Sequence, residues 1–311
     1  MDESKNLCAY IDLLGFANHV QNDREAALRL LADYQNILHV SHFETNLGGN
    51  GISSFNYFIP FSDSIFFYSS SPSLFIQQLA NFVYSSFGLS SDEYANPLDS
   101  TKPEQVTMID FSVREGKVIT TTHLENWQPL LLGGGIGYVT LNNVASIYEG
   151  RLTTTPILVG RAVVDAVRLE GSGLKGPRIL LNDELFRDLD DNTKLIVNKV
   201  PEKAGYFEVN WTAVRYLDYL VDRSFQDLDE RLIGIMLLND FNMNMLVRAA
   251  NLWRAYKNKE ISTHYFSFVK LIVRGALHFF RESPHQKYVR AEIKCYVDQL
   301  KLEYTFEDIE L

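Results

Sequence analysis

Two cysteines, Cys8 and Cys295, are all the thiols the 311 residues contain. Neither a disulfide framework nor a cysteine-built zinc cluster can therefore form within one chain. Long apolar runs are missing as well: even LIGIMLL stops at Asn239, far short of the roughly 18 residues a membrane helix needs. No basic run occurs. Lys and Arg number 29 against 39 Asp and Glu, a formal charge of −10, which argues against tracking a nucleic-acid backbone. The opening MDESKNLCAY has neither the basic nor the apolar region of a secretory signal. These absences set the expectation of a cytoplasmic protein with no membrane insertion and no nucleic-acid partner. What is present is a hydrophobic share of 46% and 13% aromatics, ample for a buried core.

Short apolar strands alternate with amphipathic helices over the first two thirds. LCAYID at 7–12 reads as a buried strand ending in an acid. A helix is expected from about Asp23, where Ala27, Leu30, Leu31, Tyr34, Ile37 and Leu38 recur at helical spacing. LGGNG at 47–51 reads as a turn or loop. SFNYFIP at 54–60 and SIFFYSS at 64–70 form a hairpin joined through Pro60–Asp63. Ser71 and Pro72 open a helix to about Phe87, with Ser71 as its cap. The polar stretch 89–104 reads as an inserted loop, LLLGGGIGYV at 130–139 as a strand, and 159–173 as a helix. PRILLN is a strand and NDELFRDL a short helix, while KLIVN and YFEVNW can pair as an antiparallel edge. From about 224 the pattern becomes helical, over 229–257, 263–282 and 286–301. A boundary near 221 separates a domain over 1–220 from a helical C-terminal extension over 221–311.

The chemistry-bearing candidates begin with two acids. Asp12 ends a strand and Asp63 sits at a hairpin tip. Carboxylates brought together on adjacent strands can hold two divalent ions, about 3.5–4 Å apart, for in-line displacement at phosphorus. Gly15 permits a tight turn whose amides can face phosphate oxygens. Asp is also common in ordinary turns and caps, so it is the order of elements that counts. The third element is GRAVVDAVRLE, residues 160–170.

In YIDLLGF, FSDSIFF, GGGIGYV and GRAVVDAVRLE, taken in this order, the chain resembles the class III nucleotidyl cyclases over roughly residues 6–220. The resemblance implies an α+β fold, a ferredoxin-like or palm-type antiparallel sheet with flanking helices. It implies that the 3′-hydroxyl of a nucleoside triphosphate attacks its own α-phosphate while pyrophosphate leaves. Asp12, Asp63 and the backbone carbonyl of Leu13 would hold two Mg2+ or Mn2+ ions per site. Leu14, Gly15 and Phe16 would form the phosphate loop, and Arg168 would be the catalytic arginine that stabilises the transferring phosphorus. The site would be shared between the two subunits of a head-to-tail homodimer.

The sequence departs from that pattern at informative places. Val164 stands where the family orients the ribose with asparagine, and Gly133 where many relatives have arginine before the glycine pair. Ile59 and Ile157 stand at the two purine-reading positions and offer no donor or acceptor to a base edge. With the opening motif and the helical extension, these departures most resemble the pyrimidine cyclases of bacterial Pycsar antiphage systems. That resemblance implies cyclic UMP, or alternatively cyclic CMP, as a second messenger for a separate effector. An adenylate or guanylate cyclase with unusual base recognition, and a non-catalytic nucleotide-binding scaffold, are the other readings. His39 and His42, three apart, read as surface or cap residues, and Met236, Met243 and Met245 as core or interface.

Overall fold

A computed structural model describes residues 5–22, 24–45, 53–97, 101–103, 105–114, 116–126, 129–140, 146–148, 157–220, 227–239 and 242–310. The expected turn at 47–51 lies outside them, as do the side chains of His39 and His42.

Strand β1 (Lys5–Leu13) is sorted by its alternation: Leu7, Ala9, Ile11 and Leu13 enter the main core, while Cys8, Tyr10 and Asp12 face the other way. Helices α1 (Phe16–Asn22) and α2 (Arg24–Thr45) follow, so helix begins earlier than the apolar spacing indicates. Strands β2 (Tyr57–Phe61) and β3 (Ser64–Ser69) form the expected hairpin. Its connection is shorter than Pro60–Asp63, because Pro60 and Phe61 belong to β2 at the sheet edge, where proline's missing donor does no harm. Only Ser62 and Asp63 turn the chain. Ser62 adopts φ +57°, and Ser64 Oγ donates to the Phe61 carbonyl at 3.0 Å.

Helix α3 (Pro72–Ser90) has proline in its first turn, but the Ser71 side chain makes no capping bond. Instead the Ser71 amide donates to Ser69 Oγ at 3.1 Å. A 3₁₀ turn, Asp92–Ala95, follows. Beyond it stands an element that the sequence reading did not anticipate, the ribbon of β4 (Gln105–Arg114) and β5 (Lys117–Asn126), which forms a sheet of its own. The chain then returns through β6 (Leu132–Thr140), the short pair β7 (Ser146–Tyr148) and β8 (Ile157–Val159), and α4 (Arg161–Glu170). Next come β9 (Ile179–Asn182), α5 (Asp183–Arg187), α6 (Asp191–Lys194), β10 (Val197–Lys199) and β11 (Tyr206–Val209).

Among the described residues, seven strands form the main sheet in the order β10-β11-β9-β6-β1-β3-β2, antiparallel except for the parallel pair β6/β9. The fold is thus α+β, a mostly antiparallel sheet with flanking helices. Helix α4 lies directly on β6, where a Cβ at Gly135 or Gly137 would run into the carbonyls of Ala166 and Ala162. That close approach puts α4 on the Cys8–Tyr10–Asp12 face.

After the 3₁₀ segment Trp211–Tyr219 come α7 (Glu230–Asn239), α8 (Asn242–Tyr256), α9 (Ser262–Phe279), α10 (Gln286–Leu300) and α11 (Phe306–Glu310). The single helix expected over 229–257 is therefore two. These helices share the sheet's core: Phe268 of α9 stacks on Trp211 at 5.3 Å and meets Phe87 of α3 edge-on. Met236, Met243 and Met245 are buried in that core. No helix among the described residues is long and apolar enough to cross a membrane.

Candidate active site

The two acids meet at one end of the sheet. Asp12 lies opposite Ser64 on β3 and Gly133 on β6, next to the turn that carries Asp63. The Leu13 amide donates to the Asp63 carbonyl at 3.0 Å, which fixes the hairpin tip against the end of β1. Burial pushes the Asp12 carboxyl up to about 7, and the nearby Asp63 and Glu170 carboxylates push the same way, against a hydrogen bond from the Leu13 backbone. Tyr34 of α2 is fully buried, and its hydroxyl has no hydrogen-bond partner among the described residues. Burial raises its pKa, with further contributions from Asp12 and Asp63.

Gly15 adopts φ +84°, a conformation that favours glycine, and α1 starts at the next residue. The Leu14 amide donates to the Leu131 carbonyl at 2.8 Å. The amides of Leu13 and Leu14 are thus already bonded within the fold. Leu13 and Phe16 have buried side chains.

Glu170, two places on from Arg168, is not among the candidate site residues, and sequence proximity alone would pair the two. The structure pairs Arg168 with Asp165 instead, at 3.8 Å, while Asp165 also accepts from Arg161 Nε at 3.2 Å. Two positions along a helix lie about 200° apart. With Glu170 acting on the Asp12 carboxyl, Arg168 falls on the opposite side of α4, and its side chain is 76% exposed. That angular relation was available from the sequence once the helix was drawn.

The remaining positions are spread around this end. Val164 is exposed on the Arg168 side of α4. Ile59 is buried on β2 opposite Phe66. Ile157 pairs with Tyr148 at the start of β8, and its side chain lies outside the described ones. A Cβ at Gly133 would stand 3.3 Å from the Leu14 side chain and 3.4 Å from the Arg178 carbonyl, so a larger residue there needs its surroundings to yield.

As a cation site the donor set is partial. Among the described residues no three of His, Cys, Asp and Glu converge to hold a metal. Two carboxylates with like-charge repulsion suit Mg2+ or Mn2+, hard ions that commonly complete their coordination with water and substrate phosphates. The unpartnered Tyr34 hydroxyl beside them also fits a site finished by something from outside.

No family model matches the chain. No curated protein matches it by sequence. Among solved structures, the guanylyl cyclase Cya2 aligns over 67% of this chain and 93% of its own, at 15% identity and TM-score 0.42. An adenylate cyclase from Trypanosoma brucei, solved in its monomeric state, covers 67% of this chain and 88% of its own at 11% identity and TM-score 0.41. The adenylyl cyclase CyaB from P. aeruginosa covers 67% and 94% at 16% identity and TM-score 0.38. What this chain does is read from its own residues.

Proposed function

We propose that this chain is a nucleotidyl cyclase that converts a pyrimidine nucleoside triphosphate, UTP before CTP, into its 3′,5′-cyclic monophosphate and pyrophosphate. The observation that carries the reading is the convergence of Asp12 and Asp63 beside the Gly15 loop, with the Asp12 carboxyl raised to about 7. Asp12, Asp63 and the Leu13 carbonyl would hold two Mg2+ or Mn2+ ions. Bound there, the ions would ease loss of the 3′-hydroxyl proton and offset triphosphate charge. The chain's own contribution is positional: the hairpin tip holds the two acids in register, and the amides from Gly15 onward orient phosphate oxygens.

Arg168 stands on the far side of α4 from Glu170. It therefore serves the acids of a second copy rather than its own, and the working unit is a homodimer with two shared sites. Residues 1–220 make the catalytic domain and 221–311 its helical extension. The pyrimidine preference rests on Ile59 and Ile157, whose apolar side chains give a purine edge nothing to bond. A messenger for a separate antiphage effector in the cytoplasm is the role this activity would serve. Exposed Val164, which cannot orient a ribose by hydrogen bonding, favours one second reading, a nucleotide-binding scaffold without turnover.

Purified protein with Mn2+ and each of the four triphosphates tests this. Pyrophosphate release with cyclic UMP or cyclic CMP as product is expected. Turnover of ATP or GTP in preference removes the pyrimidine assignment, and binding without product leaves the scaffold.

A further inference from the structure

Asp12 pairs across β1 and β6 with Gly133, and two segments lie against that end of β6. One is the Gly15 loop; the other is the stretch 176–178 that leads into β9. The position a Cβ at Gly133 would take is 3.3 Å from the Leu14 side chain and 3.5 Å from the Gly176 carbonyl. The second segment is tied to the strand: the Gly134 amide donates to the Arg178 carbonyl at 2.8 Å, and the Arg178 amide to the Gly176 carbonyl at 2.8 Å. Trp211 Nε1 donates to the Pro177 carbonyl at 2.7 Å.

Both segments rest on one short piece of the helical extension. Ile261, directly before α9, brings its Cδ1 within 3.6 Å of where Gly15 would carry a Cβ. His264 Nδ1 accepts from the Gly176 amide at 3.3 Å. Ser267 Cβ lies 2.7 Å from the position a Cβ on Gly176 would take, an approach that only glycine allows. Spacings of three and six residues put Ile261, His264 and Ser267 on one side of the helix. Gly176 is buried, so its amide needs a partner inside the protein, and the His264 ring supplies it. Nδ1 accepts only when it carries no proton. Burial, helped by Lys175 and opposed by Glu260, favours that neutral ring.

We propose that the start of α9 is a clamp that holds the Gly15 loop in register with the end of β6, and that His264 is a positioning residue for the reaction. The helical extension thereby takes part in the chemistry without touching substrate. The need is mechanical. Phosphate oxygens have to stay in line with the two acids, and a displacement of about 1 Å costs about 10² in rate. Gly15 has no side chain of its own to fix the loop. Ile261 supplies that contact from the extension, and the His264 bond ties the same turn of helix to the segment that accepts from Gly134. This inference rests on the proposed function for the meaning of the loop, but part of its test needs no turnover.

Three measurements on the full chain test it: kcat with UTP and Mn2+, calorimetry with Mn2+ and inorganic tripolyphosphate, and hydrogen exchange over residues 13–17. His264→Leu, similar in size but without an acceptor, is expected to lower kcat at least about tenfold, weaken tripolyphosphate binding and speed the exchange. His264→Asn, whose Oδ1 can take the place of Nδ1, is expected to bring kcat back to within about threefold of wild type and to restore the other two. Thr305→Ala tests the extension away from the clamp. It removes the hydroxyl that donates to Asp308 Oδ2 at 2.7 Å and accepts from the Asp308 amide at 3.3 Å. It is expected to lower the melting temperature and leave all three readouts unchanged. Wild-type exchange over 13–17 in His264→Leu overturns the clamp. So does His264→Asn failing as badly as His264→Leu, or Thr305→Ala failing like either. A wild-type chain that turns over no triphosphate sinks the proposed chemistry alone, because the exchange, which needs neither ligand nor catalysis, still decides the clamp.

Discussion

Of the places where this molecule buries ionisable groups, two are built in opposite ways. Where β9 and β11 meet α9, opposite charges meet: Arg178 Nε donates to Glu208 Oε2 at 2.6 Å, both side chains buried, and Arg274 lies 3.8 Å from Glu202. Burial raises the Glu208 carboxyl, and Arg178 opposes the shift. At the end of β1 burial raises Asp12 too, but the charges acting on it, Asp63 and Glu170, share its sign. The first region is closed by the sequence itself. The second is left short of positive charge, the condition expected where a cation arrives from outside.

The sharpest way to break this contrast is to remove an acid that has no internal use. Asp63→Asn is expected to cut cyclase activity by at least about a thousandfold, since under the proposed function it deletes a metal ligand without changing shape, while the circular-dichroism spectrum stays native. Arg168→Ala is expected to cost about 10³-fold in kcat. Mixing the two inactive variants distinguishes a shared site from a self-contained one. If the acids of one chain use the arginine of another, an equal mixture regains about one quarter of the wild-type rate, because half the dimers are mixed and each has one intact site. No recovery, with mixed dimers demonstrated by a tag, would return Arg168 to its own chain.

Stability sharpens the comparison further, because the same chemical change should act with opposite signs. Glu208→Gln leaves Arg178 buried beside Glu202 alone and is expected to destabilise by about 3 kcal/mol in urea unfolding. Asp12→Asn removes a charge that burial and two neighbours penalise. With the folded pKa raised from 3.8 to about 7, the group's favourable contribution is present below pH 3.8 and is lost as pH rises toward 7. Above pH 7, with chelator present, Asp12→Asn is therefore expected to stabilise by on the order of 2 kcal/mol. Mn2+ should raise the wild-type melting temperature and leave the variant's nearly unchanged. Destabilisation by both substitutions would show that the acid end is closed like the other.

How far the residues announce all this depends on whether burial or something else fixes each element. Alternation in LCAYID and SIFFYSS marked the central strands and their acids, because one face of each strand must enter the core. LLLGGGIGYV reads as a strand, and the reason for its glycines is the close approach of α4 to Gly135 and Gly137. The β4–β5 ribbon stayed hidden because Phe111 and Val113 of β4 and Val118, Ile119 and Leu124 of β5 are open to solvent, so burial wrote little contrast into these strands. The Ser71 cap was expected from residue type alone, but its side chain bonds no helix amide. Glu170 needed the helix drawn as a helix: adjacency in sequence pointed it at Arg168, and 200° of rotation points it at Asp12.

The smallest test concerns the closed region. His278 of α9 is held down to about 4, chiefly by burial and then by Arg281, against hydrogen bonds to the backbone of Lys194 and Val197. The folded state keeps this ring neutral where the unfolded chain would protonate it near its ordinary 6.5. Its stabilising contribution is therefore full above pH 6.5 and is lost as pH falls toward 4. Between pH 6.5 and 5.5 the loss is expected to be about 1 kcal/mol, read as a shift of the urea midpoint. In His278→Gln that part of the slope should vanish while the Asp12 dependence, which runs the other way, remains. A wild-type midpoint whose pH slope is untouched by His278→Gln would mean that the junction between sheet and helices opens to water more readily than its packing indicates.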